Sequence, residues 1–376
     1  MNSPRSQAVE RGAAESPLSK SATKAKPASG KKSVERIDHE GLLDVRGLTT
    51  YFKLGVGDVR AVQDVSFVLK PGESLGLAGE SGCGKTTAAL SLLKLLPENG
   101  RIVSGDVLFD GKNLAKRTEY GMSKIRWKEI SIIFQGAMNA LNPVQETGKQ
   151  IAEPIQLHEG LSEKQAMVRV RELYDLVGIN PKRVMDFPHQ LSGGMRQRAM
   201  IAMSLACNPK LVIGDEPTTA LDVMVQAQIL ELIHRLRREL DLSFILISHD
   251  LSVMAETCDK GVVMYAGEVV ESGTTADIFN NATHPYTTQL IKSFPNIPEK
   301  REMVRSIKGD PPNLINPPEG CYFCPRCDER VPECLTDHPT LTEVEPGHFV
   351  RCLLAKSMSS DAVAPDDEPT PEPVEV

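Results

Sequence analysis

Eight residues constrain this chain more than any others. GESGCGKT, residues 79–86, fits G-x-x-x-x-G-K-[S/T]; a short apolar run (ESLGLAG) leads into it and a stretch with helical spacing (TTAALSLLKLL) leads out. A strand, a glycine-rich turn and a helix in that order place a row of backbone N–H groups around an anion. Gly79, Gly82 and Gly84 let the backbone curl tightly enough to do so. The helix start adds partial positive charge. Lys85 is then expected to reach the β- and γ-phosphates of a nucleotide, and Thr86 to offer its hydroxyl to Mg²⁺. Glu80, Ser81, Cys83 and Thr87 complete the expected lining of the loop.

A phosphate loop needs a carboxylate opposite it. LVIGDEP, residues 211–217, supplies one at the end of an apolar run: Asp215 is suited to Mg²⁺, and Glu216 to orienting and deprotonating a water. SFILISHD is a second run of this kind, and the helical stretch starting near Asp222 lies between the two. Such runs suit strands of a parallel sheet covered on both faces, so the fold class is α/β. From about 145 to 207 the pattern is helical with no strand, which predicts a helical subdomain inserted into the α/β core.

The rest of the composition narrows the function. A net charge of -7 over 376 residues gives no electrostatic footprint for a nucleic-acid binder. The chain has no apolar run long enough for a transmembrane helix, and its N-terminus has no apolar signal core, so a cytosolic body is expected. Residues 1–41 and 357–376 are poor in large apolar side chains and read as disordered tails.

LSGGMRQR, residues 191–198, is a second helix start built on serine and two glycines. Ser192, Gly193 and Gly194 would make a second anion-binding end, and one nucleotide needs only one phosphate loop. Two chains sandwiching the nucleotide would account for it. Together these motifs resemble those of the ABC ATPases, and the P-loop NTPase resemblance spans about residues 42–285. Phe52 is similar in position to the aromatic that stacks on adenine, with Tyr51 as the alternative; Gln135 resembles the Q-loop glutamine, Asp222 the D-loop aspartate and His249 the switch histidine. The resemblance implies that Glu216, His249 and Gln135 act in catalysis. It also implies that Lys85, Thr86, Asp215 and Gln135 hold ATP with Mg²⁺, and that Ser192 and Gly194 touch the γ-phosphate held by the opposite subunit. Gly136 and Ala137 stand where relatives usually carry Asp-Pro, which bears on docking to a membrane subunit.

PTTALDVMVQAQIL, VVMYAGEVVESG and HPYTTQLIKSFP resemble the ATP-binding subunits of oligopeptide, dipeptide and nickel importers. Residues 286–356 resemble the C-terminal extension of that subfamily, which in some relatives binds an iron–sulfur cluster. The resemblance implies Cys321, Cys327, Cys334 and Cys352 as [4Fe–4S] ligands, with Cys324 a possible fifth candidate. Zinc is the alternative, through four cysteines or three with His338 or His348. The subfamily further implies integral membrane permease subunits, a second and paralogous ABC ATPase, an extracytoplasmic solute-binding protein acting indirectly, no nucleic acid, and a peripheral place on the cytoplasmic face of the membrane. The remaining alternatives are a nontransport ABC ATPase and a metal- or redox-regulated ATPase.

Overall fold

The apolar runs stack into a sheet whose two faces belong to different cores. The computed structural model describes residues 39, 41–136, 140–219, 221–293 and 307–355; both tails read above as disordered lie outside these residues, apart from His39 and Gly41 at the edge of the first. In chain order, β1 (Leu43–Leu54) and β2 (Gly57–Leu69) form a hairpin, and β3 (Ser74–Ala78) leads into the glycine loop. β4 (Gly100–Phe109) and β5 (Lys112–Asn113) return to the hairpin, completing a four-stranded antiparallel sheet of order β2-β1-β4-β5. β6 (Ile130–Ile133), β7 (Leu211–Asp215), β8 (Ser243–Ile247), β9 (Lys260–Tyr265), β10 (Glu268–Thr274), β11 (Thr342–Glu345) and β12 (His348–Val350) join β3 in the second sheet, of order β11-β12-β10-β9-β3-β8-β7-β6.

From β9 to β6 neighbouring strands run parallel. β3, β7 and β8 are buried at every residue, so their side chains alternate between two apolar interiors rather than between core and water. Leu75, Leu77, Leu211, Ile213, Ile245 and Ile247 face the core shared with the antiparallel sheet. Val212, Phe244 and Leu246 face the core shared with the helices. That is why these runs read as uninterrupted.

Between β6 and β7 the regular elements are helical: Thr147–Glu159, Glu163–Leu176 and Gly193–Ser204, with two short 3-10 turns. Gly160, at φ 68, ends the first of them in the left-handed conformation. Ser162 and Gln165 close a capping box on the second. The buried Tyr174 hydroxyl donates to Thr147 Oγ1 at 2.6 Å and ties the two helices together.

The C-terminal segment is continuous with this body. β12 pairs antiparallel with β10 and extends the main sheet, and β11 pairs with β12. Phe323, 2% exposed, packs in the helix-side core against Tyr265 and Tyr286 with ring centroids 5.2 and 5.3 Å away. Among the described residues no helix is long and apolar enough to cross a membrane.

Candidate active site

β3 ends at Ala78, and the loop that follows turns at Gly79 (φ 142), Gly82 (φ 81) and Gly84 (φ 104) before the helix Lys85–Leu92 begins. No larger residue fits at two of these positions. A Cβ on Gly79 would lie 2.2 Å from the Met264 carbonyl oxygen, and one on Gly84 2.3 Å from that of Ala61. Lys85 is buried and its Nζ donates to the carbonyls of Gly79 at 2.7 Å and Glu80 at 2.9 Å. Cys83 is buried in the same turn, and burial pushes its thiol pKa up. Ser81 and Thr86 are exposed, and Thr87 half-buried.

The parallel sheet brings β7 alongside. Thr86 Oγ1 donates to Asp215 Oδ1 at 3.1 Å, and burial raises the Asp215 carboxyl above its ordinary pKa, with the Thr86 hydrogen bond opposing. Glu216 follows with φ 48, a left-handed backbone at a residue with a full side chain. Such a conformation persists where its surroundings enforce it, and it turns the carboxylate out of the strand direction. The Glu216 N–H donates to the Ile247 carbonyl at 3.0 Å. Its Oε2 accepts from Gln135 Nε2 at 2.7 Å and Thr219 Oγ1 at 2.9 Å. Its Oε1 lies 3.4 Å from His249 Nδ1. Two segments distant in sequence, at Gln135 and His249, thus meet on one carboxylate beside the local Thr219. The helix Leu251–Thr257 is capped by Asp250, leaving the exposed His249 to face Glu216.

Ser192, Gly193 and Gly194 lie at the start of a different helix. Ser192 caps the helix Gly193–Ser204 through the Met195 N–H, and no hydrogen bond or ion pair of the described residues joins this turn to the phosphate loop. A Cβ on Gly194 would meet Val225 Cγ1 at 2.8 Å, in the first turn of the helix Val223–Glu239 that Asp222 caps. Phe52 and Tyr51 are half-buried on β1; the Phe52 ring lies over Gly100, whose Cβ would come within 2.8 Å of it. Gly136, at φ 70, is the last described residue before Ala137, which lies outside them.

The five cysteines of the C-terminal segment gather in one region. Backbone N–H groups of Cys321, Cys324 and Cys327 donate to the carbonyls of Cys334, Cys321 and Cys324. Burial pushes the Cys321 thiol up to about 11, and the nearby Cys334 and Cys352 push it further in the same direction. Cys327 is raised by burial, Cys352 and Cys334; Cys352 by burial and Cys334; Cys324 by burial and Cys334 alone. Among the described residues no three His, Cys, Asp or Glu side chains already close into a metal-holding group. Of the two histidines offered as zinc ligands, His338 is engaged through both ring nitrogens, whereas His348 is engaged through Nε2 and its buried Nδ1 has no hydrogen-bond partner among the described residues. His338 bonds the Gly320 carbonyl and Glu268, each at 3.0 Å, and His348 Nε2 bonds Glu271 at 2.9 Å.

Two contacts to the phosphate loop were not foreseen from the sequence. Arg326, between Cys324 and Cys327, forks onto Glu80 with Nη1–Oε2 2.6 Å and Nη2–Oε1 2.9 Å. The Tyr286 hydroxyl accepts the Glu80 N–H at 2.8 Å. The available signal was an acidic residue inside an anion-binding loop, which calls for a cation.

A glycine loop at the end of a parallel strand, with Asp215 against Thr86 and Glu216 in a polar cage, defines a P-loop nucleotide hydrolase with an ABC-type ATPase site. Residues 62–219 match the ABC transporter family, and residues 270–334 match the C-terminal region of oligopeptide/dipeptide transporters. The oligopeptide transport ATP-binding protein OppD of Escherichia coli is 44% identical over 84% of this chain and 93% of its own length. OppD of Bacillus subtilis is 46% identical over 83% and 88%. Among solved structures, a dimeric post-hydrolysis state of the ATP-binding cassette MJ0796 bound to ADP and Pi superposes with a TM-score of 0.56 at 26% identity, over 62% of this chain and 98% of that one. The chain belongs to the oligopeptide/dipeptide transporter family of ABC ATP-binding subunits.

Proposed function

We propose that this chain hydrolyses ATP to drive the uptake of peptides, or a chemically related small solute, through separate permease subunits on the membrane. The observation that carries the transport reading is the oligopeptide/dipeptide C-terminal region, because the ATPase core alone is compatible with other uses. The chain would work from the cytoplasmic face, paired with a second, paralogous ATPase, and an extracytoplasmic binding protein would deliver the solute.

That Ser192–Gly194 share no hydrogen bond or ion pair with the phosphate loop among the described residues supports a two-chain site, in which these residues meet the γ-phosphate of ATP on the opposite subunit. Phe52 would stack on adenine, and the loop from Gly79 to Thr87 would hold the phosphates. Thr86, Asp215 and Gln135 present the hard oxygen donors that suit Mg²⁺, which when bound offsets charge on the β- and γ-phosphate oxygens. Glu216 accepts a proton from water as the water oxygen bonds to the γ-phosphorus; the bond to the β–γ bridging oxygen breaks and ADP leaves. His249 and Gln135 hold Glu216 and the water in line. ATP favours the closed pair of subunits, and closure biases the permease between its two states.

Cys321, Cys327, Cys334 and Cys352 stand at the positions that resemble the subfamily's cluster ligands, and the Cys321 N–H donates to the Cys334 carbonyl at 2.9 Å. This supports these four as ligands of a [4Fe–4S] cluster that staples a loop-rich segment. Anaerobic purification with iron, sulfide and zinc analysis tests it; zinc without sulfide overturns it. The transport reading is tested by peptide uptake into vesicles holding the permease, binding protein and both ATPases. Uptake should require ATP and be lost with Lys85→Ala. ATP hydrolysis with no permease association and no uptake would refute it.

A further inference from the structure

Glu80 places a negative charge inside a loop built to receive a polyphosphate. Its carbonyl holds Lys85 Nζ at 2.9 Å and its N–H is held by Tyr286. Its backbone is therefore held in the loop that would carry the phosphates, and its carboxylate has the same sign of charge as they do, which opposes binding. The compensating cation comes from 246 residues along the chain. Arg326 is 7% exposed, and its planar fork matches both carboxylate oxygens. The rest of the guanidinium is held by the Lys308 carbonyl at 2.9 Å and the Tyr265 hydroxyl at 3.4 Å. Its partners are buried or partly buried, so the pair is shielded from the screening that weakens surface bridges.

We propose that Arg326 is a positioning residue of the ATP site: it cancels the Glu80 charge, so the C-terminal segment sets how tightly the phosphate loop holds ATP. The inference rests on the nucleotide site proposed above and adds a residue outside the ATPase motifs to it. Charge cancellation makes predictions that a bracing role does not. Arg326→Ala leaves Glu80 uncompensated, so KM for ATP rises on the order of tenfold while kcat stays within about twofold. Glu80→Gln alone leaves the arginine uncompensated, so KM falls. Combining the two removes both charges, and KM returns to within about threefold of the wild type.

The experiment is steady-state ATPase kinetics on the purified full-length chain and these three variants, with Lys85→Ala as the control for the site. Loss of hydrolysis with Lys85→Ala establishes that the loop is the one in use; retention of it would sink the nucleotide site and not this inference alone. A rise in KM with Glu80→Gln, an unchanged KM with Arg326→Ala, or no recovery in the double variant each overturns the proposal in favour of simple bracing. Glu80→Gln keeps the side chain's shape and its acceptor oxygen, so it reads the charge even if Arg326→Ala fails to fold.

Discussion

At the start of the helix Pro285–Lys292 a buried histidine acts as an acceptor. His284 is 2% exposed, and its Nδ1 accepts the Tyr286 N–H at 3.0 Å. A proton on Nδ1 would face that N–H and place a charge beside Phe323 and Tyr286. Burial dominates and pulls the pKa from 6.5 down to about 4, against opposing pulls from Glu271 and from a backbone hydrogen bond at Arg351. The stability carried by neutral His284 is therefore present above the ordinary 6.5 and is lost as pH falls towards 4. That interval corresponds to about 3 kcal/mol in all, of which about 2 kcal/mol falls between about pH 7 and pH 5. His284→Asn keeps a capping acceptor and cannot be protonated. Urea unfolding of both proteins at the two pH values should show the variant losing about 2 kcal/mol less than the wild type. His338 and His348 are raised by hydrogen bonds to Glu268 and Glu271, so their contribution is full below their ordinary pKa and declines as pH rises. Both are present in either protein and largely cancel in the difference. Identical pH dependence in the two proteins would refute the assignment of Nδ1 as the acceptor.

Glu216→Gln can keep its contacts to Gln135 and Thr219 through the amide oxygen but cannot take a proton, so ATP turnover should fall by about 10²–10⁴ with folding preserved; turnover within tenfold of wild type would remove Glu216 as the base. Phe323→Ala empties a site ringed by Tyr265, Tyr286 and His284 and should cost about 3–5 kcal/mol in urea unfolding; a cost below about 1 kcal/mol would mean the C-terminal segment does not share the ATPase core. Cys352→Ser should lower iron per chain, while Cys324→Ser leaves it unchanged; equal losses would place Cys324 among the ligands.

The parts legible in sequence were those fixed by local pattern. β3, β7 and β8 are buried throughout and so read as apolar runs. The glycine loop needs its residues in an unbroken string. Less legible was what depends on long-range pairing. β4 joins the sheet of β1 by matching Leu43 to Phe109, and nothing in either segment names the other. β12 has three residues, too few to show alternation, yet it extends the main sheet. His338 and His348 lie near the cysteines in sequence, but nothing in that stretch shows that Glu268 and Glu271 on β10 hold their Nε2 atoms. The Glu216 backbone at φ 48 is likewise a product of its surroundings, since the sequence DEP does not by itself demand it.

The C-terminal segment is better understood as a wall of the ATPase body than as an appendage. Without β12, β10 would present an open edge. Glu271, fully buried, would lose His348 and keep only the Thr283 and His284 N–H groups. A buried carboxylate stripped of one partner is costly. Arg351 Nε holds the Val269 carbonyl, and Gln63 donates to the Tyr322 hydroxyl, so strands of both sheets rely on the segment. The same short stretch, Tyr322 to Cys327, thus supplies a core aromatic, a contact to β2, two of the clustered thiols beyond Cys321, and the cation that meets Glu80. Packing of the extension and the charge state of the phosphate loop are consequences of one set of contacts, so neither can change without the other responding.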